Sequence, residues 1–217
     1  MFDFNCNVAQ SWGVYTKNET EYETALWAST INIASGLHAG DPVAISNALK
    51  FALEHNPAIS ALIGYPDIQG FGRRKINLND DELFSVVIYQ IGALSTFASS
   101  YNLEIENVRC HGALKDELNS NEHSAEIIAK AIKKINPWLN LIVQNQNTKS
   151  LIQSFNLKSA LEVEFTSEST ISEIEETERQ AGFKIDTIHF TNISDIKRAY
   201  KELKPTPINY NRVEAQI

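Results

Sequence analysis

The sequence predicts an α/β fold in which about seven β/α units close into a barrel or distorted barrel, rather than an open doubly wound sheet. Short apolar segments alternate with amphipathic ones along almost the whole chain, as parallel strands and their crossover helices do. The 217 residues are 43% hydrophobic and 21% charged, which is enough to bury the core of one such domain, residues 1–217.

The candidate strands are short apolar segments bounded by turn-forming residues. They are Phe2–Asn7, Thr30–Ala34, Ala58–Ile63, Ile105–Arg109, Asn140–Gln144, Ala160–Phe165 and Thr187–Phe190. Because a helix-length segment separates each strand from the next, we expect the strands to pair in parallel.

The predicted helices follow from apolar spacing and start signals. Pro42–His55 begins with Asp41 as its N-cap and a proline at its first position. Apolar residues at helical spacing predict three more helices, Asp80–Tyr101, Glu122–Ile135 and Ile193–Leu203. The acidic segment Ile171–Arg179 predicts a solvated helix whose glutamates form a wet face rather than a metal cluster. The chain after Pro205 is expected to be irregular.

Composition and charge exclude several classes of protein. A net charge of −8 argues against a general nucleic-acid binder. We expect no membrane span, since no apolar run approaches the required length, and the N-terminus has no secretory signal pattern. Cys6 and Cys110 do not make a disulfide framework and are interpreted as small core residues of a cytoplasmic protein.

The segment Gly64–Arg74, with sequence GYPDIQGFGRR, has the most unusual composition in the chain. It holds three glycines, a proline, two aromatic residues, an aspartate and two adjacent arginines. Glycine lets a backbone approach a ligand closely, and Arg73 and Arg74 offer forked donors for a carboxylate or phosphate. The segment predicts a binding loop; a long turn with solvated arginines is the alternative. No Walker A motif, Rossmann fingerprint, CxxC or HExxH is present.

Other unusual polar residues also follow the predicted strands, at the end of the barrel where active sites are built. They are Asn5, Cys6 and Asn7 after the first strand; Gly36, His38, Gly40 and Asp41 after the second; Arg109, His111 and Gly112 after the fourth; and His189 in the last. Their convergence on one rim is more informative than any single residue.

Each of these residues has a structural and a functional interpretation. Asp41 is fully explained as an N-cap. His38, flanked by glycines, favours ligand contact, and His111 beside it becomes a candidate acid, base or metal ligand. His189 is expected to pack in the barrel wall. Neighbours on one strand point to opposite faces, so Cys110 and His111 do not form a nucleophilic pair.

Five motifs together identify a family resemblance. They are DFNCN in the first strand, NIASGLHAGDP from Asn32 to Pro42, GYPDIQGFGRR, YQIGAL from Tyr89 to Leu94 and HGAL from His111 to Leu114. Over residues 1–145 the chain resembles the LamB/YcsF family, the group of 5-oxoprolinase A subunits once called lactam utilisation proteins. The resemblance implies a distorted seven-stranded β/α barrel related to polysaccharide deacetylases.

The resemblance also implies an activity, which is the ATP-dependent opening of the cyclic amide 5-oxoproline to glutamate. Partner subunits would take part, and ATP would act through their complex. Nucleic acid and membrane are not expected partners. The implied catalytic residues are His38, His111 and Asp41, and the implied substrate-binding residues are Asn5, Asn7, Tyr65, Asp67, Arg73, Arg74 and Arg109.

The chain departs from the family pattern at several rim positions. Asn7 and Gln10 stand where the family has carboxylates, and Leu62 stands where it has a histidine. Arg109, Cys110 and Lys115 replace a lysine, a proline and a tyrosine, Ser35 replaces a cysteine, and the ADRxY motif expected after Phe165 has no counterpart. In the related deacetylases an aspartate and two histidines hold a metal ion. With Asn7 and Leu62 at comparable places, we predict no tight metal site.

Two functional hypotheses follow. The first is an enzyme component that resembles the A subunit of 5-oxoprolinase. The second is a catalytically impaired member that keeps the binding loop and serves as a ligand-binding or regulatory subunit. Sugar deacetylation by analogy of fold ranks last, because fold alone does not specify function.

Overall fold

Seven parallel strands close into a barrel in chain order in the computed structural model, which describes residues 2–15 and 20–205. Pairing of the first strand with the last closes the barrel. The strands are β1 (Asp3–Val8), β2 (Thr30–Ala34), β3 (Ala58–Ile63), β4 (Asn107–Cys110), β5 (Asn140–Val143), β6 (Lys158–Glu164) and β7 (Thr187–Phe190). The predicted barrel is therefore confirmed, and parallel strands place all their carboxyl ends at one rim.

Seven helices connect these strands and an eighth follows the last one, within the described residues. They are α1 (Glu21–Ala25), α2 (Pro42–His55), α3 (Asp80–Ser100), α4 (Gly112–Ser120), α5 (Glu122–Ile135), α6 (Gln146–Ser154), α7 (Ile171–Ala181) and α8 (Ile193–Glu202). Helix α2 begins where the sequence predicts, because Asp41 accepts hydrogen bonds from the amides of Val43 and Ala44 at 2.9 Å. A capping box at Asn79 and Glu82 starts α3.

The predicted bounds are correct to the residue for β2, β3, β7, α2 and α5, and differ by a few residues elsewhere. The sequence pattern does not predict helices α1, α4 and α6. They have 5, 9 and 9 residues, which is too short to present the long apolar stripe on which the prediction depends. Helix α6, for example, buries only Thr148 and Ile152. The stretch after Pro205 lies outside the described residues.

The two faces of the barrel wall have opposite chemistry. Outward side chains such as Ile31, Ile33 and Val108 pack against the helices in the main apolar core, which also contains Cys6 and Cys110 as expected. Inward side chains are largely polar. Their hydrogen bonds join residues of strands that are not neighbours, such as Asn5 of β1 and Glu162 of β6. The interior of the barrel is thus a polar network rather than an apolar core.

Helix α3 corrects the expectation that no apolar segment of the chain is long enough to span a membrane. The helix has 21 residues and is long and apolar enough to cross a membrane by length and composition alone. Of its most apolar 18-residue stretch, 33% is buried inside the structure. In the barrel this helix packs against α5, α2 and β3. Its apolar residues Leu83, Val87, Ile91, Leu94 and Ala98 are buried there, as the predicted stripe requires.

Candidate functional site

A buried ion pair crosses the barrel interior beneath its carboxyl-terminal rim. The Arg109 guanidinium on β4 donates from Nε to Glu162 Oε2 at 2.8 Å and from an Nη atom to Oε1 at 2.7 Å. Burial opposes the charge on Glu162, but Arg109 outweighs burial and holds the pKa of Glu162 at about 2. Both side chains are almost completely buried, so the guanidinium and the carboxylate neutralise each other away from water.

Asn5 connects this ion pair to three other strands. Its amide Nδ2 donates to Glu162 at 3.1 Å and to Thr187 at 2.7 Å, and its Oδ1 accepts from Asn32 at 2.7 Å. His189 Nδ1 lies 2.7 Å from the same Oδ1. Because that oxygen accepts, Nδ1 is the protonated nitrogen of His189. Burial and, next, Arg109 lower the pKa of His189 to about 3, so its ring is neutral.

A cavity of about 410 Å³ opens at the carboxyl-terminal end of the barrel. Asn7, Gln10, His111 and His189 contribute to its wall. Its charged lining consists of the basic residues Arg73, Arg109 and Lys115 and the acidic residues Glu21, Asp116 and Glu164. Active sites of β/α barrels are built at this end, so this cavity is the candidate ligand site.

Two histidines stack at the edge of this cavity. The imidazole rings of His38 and His111 lie 4.4 Å apart with an interplanar angle of 14°. His111 Nε2 is 3.0 Å from the carbonyl oxygen of Phe71, and the Phe71 ring packs edge-on against both histidines. His111 lines the main cavity, whereas His38 is only 1% exposed and faces a smaller cavity beside Trp12 and Tyr15.

The loop Gly64–Arg74 is held in shape by one of its own ion pairs. The Asp67 carboxylate accepts from the amides of Gly70 at 2.9 Å and Arg74 at 3.2 Å, and it also binds the Arg74 guanidinium. Hydrogen bonding to Arg74 lowers the pKa of Asp67 to about 2. Arg74 therefore shapes the loop instead of lining the cavity, while its neighbour Arg73 does line it.

The loop is also fastened to helix α4. The Ala113 amide donates to the Gly72 carbonyl at 2.9 Å. Gly72 has a φ of +68°, and a Cβ there would lie 3.0 Å from His38 and 3.1 Å from His111. The positive φ favours glycine at this position, and the close approach sets the loop directly on the histidine pair.

Four of the ten candidate site residues line the main cavity, namely Asn7, Arg73, Arg109 and His111. The other six do not, namely Asn5, His38, Asp41, Tyr65, Asp67 and Arg74. Asp41 holds the start of α2 and also accepts from the Gly13 amide at 2.9 Å, which agrees with its N-cap interpretation. Tyr65 is buried in the main apolar core.

Three charged residues of the cavity wall, Glu21, Asp116 and Glu164, escaped the sequence interpretation, which named Lys115 only as a departure from the family pattern. Glu21 accepts from the amides of Ala9 at 2.9 Å and Gln10 at 3.3 Å. Lys115 Nζ lies 2.8 Å from Glu164 Oε1. One signal was available for Glu164, because two carboxylates with the period of a strand, at positions 162 and 164, are unusual in a buried strand.

Metal binding requires several donor side chains to lie close together. Across residues 2–15 and 20–205, no group of three or more His, Cys, Asp or Glu side chains is arranged to hold a metal ion. At the two positions compared with deacetylase ligands, Leu62 is fully buried and Asn7 presents an amide that accepts from Asn32 at 3.1 Å. The lack of a tight metal site stays a prediction.

Comparisons with known proteins agree with this architecture. Proteins named as the A subunit of 5-oxoprolinase are 42% identical in Bacillus cereus and 40% identical in Bacillus thuringiensis subsp. konkukian, each over 152 residues. Each match covers 70% of this chain and 59% of the relative, so the chain spans about three fifths of the length of these relatives.

A solved structure and a family model extend the match. The crystal structure of the lactam utilization protein from Thermus thermophilus superposes with a TM-score of 0.79 at 28% identity, covering 93% of this chain and 94% of that one. The model of the LamB/YcsF family matches residues 2–173. Since that match includes all strands but the last and most of the helices, the chain belongs to the LamB/YcsF family.

Proposed function

We propose that this chain is a component of the same type as the A subunit of 5-oxoprolinase, which opens the cyclic amide of 5-oxoproline together with partner subunits and ATP. The observation that supports this most is the polar cavity of about 410 Å³ at the carboxyl-terminal rim. It is large enough for a small lactam and combines a cation, Arg73, with the amide of Asn7 and the imidazole of His111. The relatives that carry the 5-oxoprolinase name support the same activity.

His111 is the residue we assign to proton transfer. The Phe71 carbonyl can only accept a hydrogen bond, so Nε2 of His111 carries a proton, and the same ring lines the cavity. A lactam is stabilised by resonance, and its opening needs a proton delivered to or removed from the reacting groups. The stacked ring of His38 fixes the plane of the His111 imidazole.

The cavity does not fit a nucleoside triphosphate such as ATP. Three carboxylates, those of Glu21, Asp116 and Glu164, contribute to its lining, and the chain has no Walker A motif. These features support assigning ATP binding to the partner subunits, and we derive no step of the reaction through ATP in this chain.

The alternative is a ligand-binding or regulatory subunit that does not turn over. It is favoured by the amides of Asn7 and Gln10, which occupy the cavity wall where carboxylates would supply a general base. Under this alternative the chain binds 5-oxoproline and tunes the activity of its partners, and His111 is dispensable for binding.

Reconstitution tests the proposal. The chain is combined with its partner subunits, ATP and 5-oxoproline, and glutamate and ADP are measured. We expect turnover that depends on the chain and falls at least ~100-fold in His111→Ala, while the exposed His123→Ala keeps wild-type turnover. Binding of 5-oxoproline without glutamate formation would favour the regulatory alternative. A gain of activity or of metal binding in Asn7→Asp with Leu62→His would favour it further.

A further inference from the structure

We propose that Arg73 and Lys115 form a subsite for the carboxylate of a small ligand, and that Glu164 occupies this subsite until the ligand arrives. The choice of 5-oxoproline as the ligand rests on the proposed function. The subsite itself rests on the observation that Arg73 and Lys115 are the cations of the cavity that are not bound to a buried carboxylate.

The other cations near the cavity are already committed. The Arg109 guanidinium is bound on two edges by the buried Glu162 carboxylate. Arg74 is bound to Asp67 and does not line the cavity. Removing either guanidinium from its buried carboxylate would leave a desolvated charge unpaired, which is strongly unfavourable. A ligand carboxylate therefore has to find its cation elsewhere.

Lys115 is held by a bond that is easily exchanged. Its Nζ lies 2.8 Å from Glu164 Oε1, and the two side chains are 25% and 53% exposed. Partly exposed ion pairs contribute little to stability, so a ligand carboxylate can take the place of Glu164 at a small net cost. Both residues line the cavity, Lys115 from α4 and Glu164 from the end of β6.

Arg73 is the second available cation. Among residues 2–15 and 20–205 its side chain makes no ion pair. Its position is set by the bond from the Ala113 amide to the Gly72 carbonyl, which joins the loop to the first turn of α4. The two segments touch, because a Cβ on Gly112 would lie 3.4 Å from the Arg73 Cα. Arg73 and Lys115 thus lie on two segments in direct contact.

The charge of the wall favours a carboxylate over a phosphate. Once Glu164 has released Lys115, two cations face the ligand, but Glu21, Asp116 and Glu164 remain in the same wall. A ligand with one negative charge gains from Arg73 and Lys115, whereas a doubly charged phosphate also meets stronger repulsion from the carboxylates.

Calorimetric titration of the purified chain with two probes tests the subsite. 5-Oxoproline has both the lactam ring and the carboxylate, and 2-pyrrolidinone has the ring alone. We expect Lys115→Met to raise the Kd of 5-oxoproline about tenfold or more, the usual effect of losing a charge-assisted hydrogen bond. Glu164→Gln should lower the same Kd, because it releases Lys115. The Kd of 2-pyrrolidinone should be the same in all variants.

A matched control removes a lysine from another exposed ion pair. Lys130 pairs with Glu126 at 2.7 Å on α5 and does not line the cavity, so Lys130→Met should bind 5-oxoproline as wild type does. The opposite signs expected for Lys115→Met and Glu164→Gln separate a direct effect on binding from a loss of folding.

Other outcomes decide between the subsite and the proposed function. A wild-type Kd for 5-oxoproline in Lys115→Met overturns the subsite, even when the reconstituted enzyme turns over. Lys115-dependent binding of inorganic phosphate in preference to 5-oxoproline overturns the carboxylate assignment. If 5-oxoproline does not bind but the open-chain monocarboxylate succinamate binds in a Lys115-dependent way, the subsite stands and the proposed function fails. Lys115-independent binding, or no binding, of both acids overturns the subsite.

Discussion

Arg109 of β4 and Glu162 of β6 are joined by a bidentate ion pair although β5 lies between their strands. The bond therefore spans the barrel interior instead of following the sheet. Its charges are buried, and they join β4 to β6 and remove Arg109 from the set of cations available to a ligand.

Breaking this pair should strongly destabilise the barrel. Glu162→Gln leaves the Arg109 charge buried without its counter-ion, so we expect the free energy of unfolding to fall by about 3–5 kcal/mol in urea denaturation. Glu176→Gln removes a carboxylate from the exposed pair with Arg179 on α7 and should leave the free energy of unfolding close to the wild-type value. Equal effects of the two substitutions would contradict the role assigned to the buried pair.

His189 should make the protein less stable as the pH falls. Its pKa is about 3 in the folded chain against an ordinary value of 6.5, so below pH 6.5 the unfolded chain binds a proton that the folded chain refuses. Relative to His189→Gln, wild type should lose up to about 1.4 kcal/mol of unfolding free energy per pH unit between pH 6.5 and pH 3. Urea denaturation of both proteins at several pH values measures this difference.

Asp3 should have the opposite effect over an overlapping range. Burial raises its pKa to about 6 from 3.8, although Ser29, Thr30 and Thr187 donate hydrogen bonds to it. Between pH 6 and pH 3.8 the folded chain holds a proton that the unfolded chain has lost, so stability from this group rises as pH falls. Wild type should gain stability relative to Asp3→Asn over this range. A wild-type loss would show that Asp3 is charged in the folded barrel.

Substitution of the two adjacent arginines should have different effects, one on the order of the loop and the other on ligand binding. Arg74→Gln removes the partner that Asp67 uses to shape the loop, and we expect amide hydrogen exchange of residues 68–74 to rise about tenfold. Arg73→Gln should leave this exchange unchanged while weakening 5-oxoproline binding. Faster exchange in Arg73→Gln than in Arg74→Gln would reverse the assignment of the two side chains.

Two glycines should respond oppositely to alanine. Gly112 has a φ of +54°, and a Cβ there would lie 2.3 Å from the Gly72 carbonyl oxygen, so Gly112→Ala should destabilise the fold by roughly 2–4 kcal/mol. Gly92 lies in α3, and a Cβ added there would have nothing within 4 Å, so Gly92→Ala should stabilise the fold by about 1 kcal/mol. Thermal unfolding of both variants measures whether the stability of the fold falls or rises.

The fold is predictable from sequence where local signals agree with burial. Helix α2 has an N-cap and a proline at its start, and α5 has a clear apolar stripe, and the predicted bounds of both are correct. Helices α1, α4 and α6 are short, and they pack against strands β1, β4 and β6 of the barrel, respectively. Their formation depends on the closed barrel, which local sequence does not describe.

The site is predictable in its place but less so in its residues. The polar rim locates the cavity and brings His111 and Arg73 to its wall. Nothing in the sequence distinguishes Arg73 from Arg74, because the turn at Gly70–Gly72 decides which of them faces Asp67. The partner of Arg109 is 53 residues away on another strand, and such a pairing follows only from the barrel closure.

The polar barrel interior bears on how this chain can accept change. Asn5 makes hydrogen bonds to residues of β2, β6 and β7, so one amide satisfies donors and acceptors from three other strands. A substitution at such a position leaves several buried groups without partners at once, and their costs do not add independently. We expect inward positions to tolerate replacement only in matched sets, while the apolar outer layer accepts single exchanges of similar volume. A library for redesigning the cavity should therefore vary the inward polar residues of the barrel together rather than one at a time.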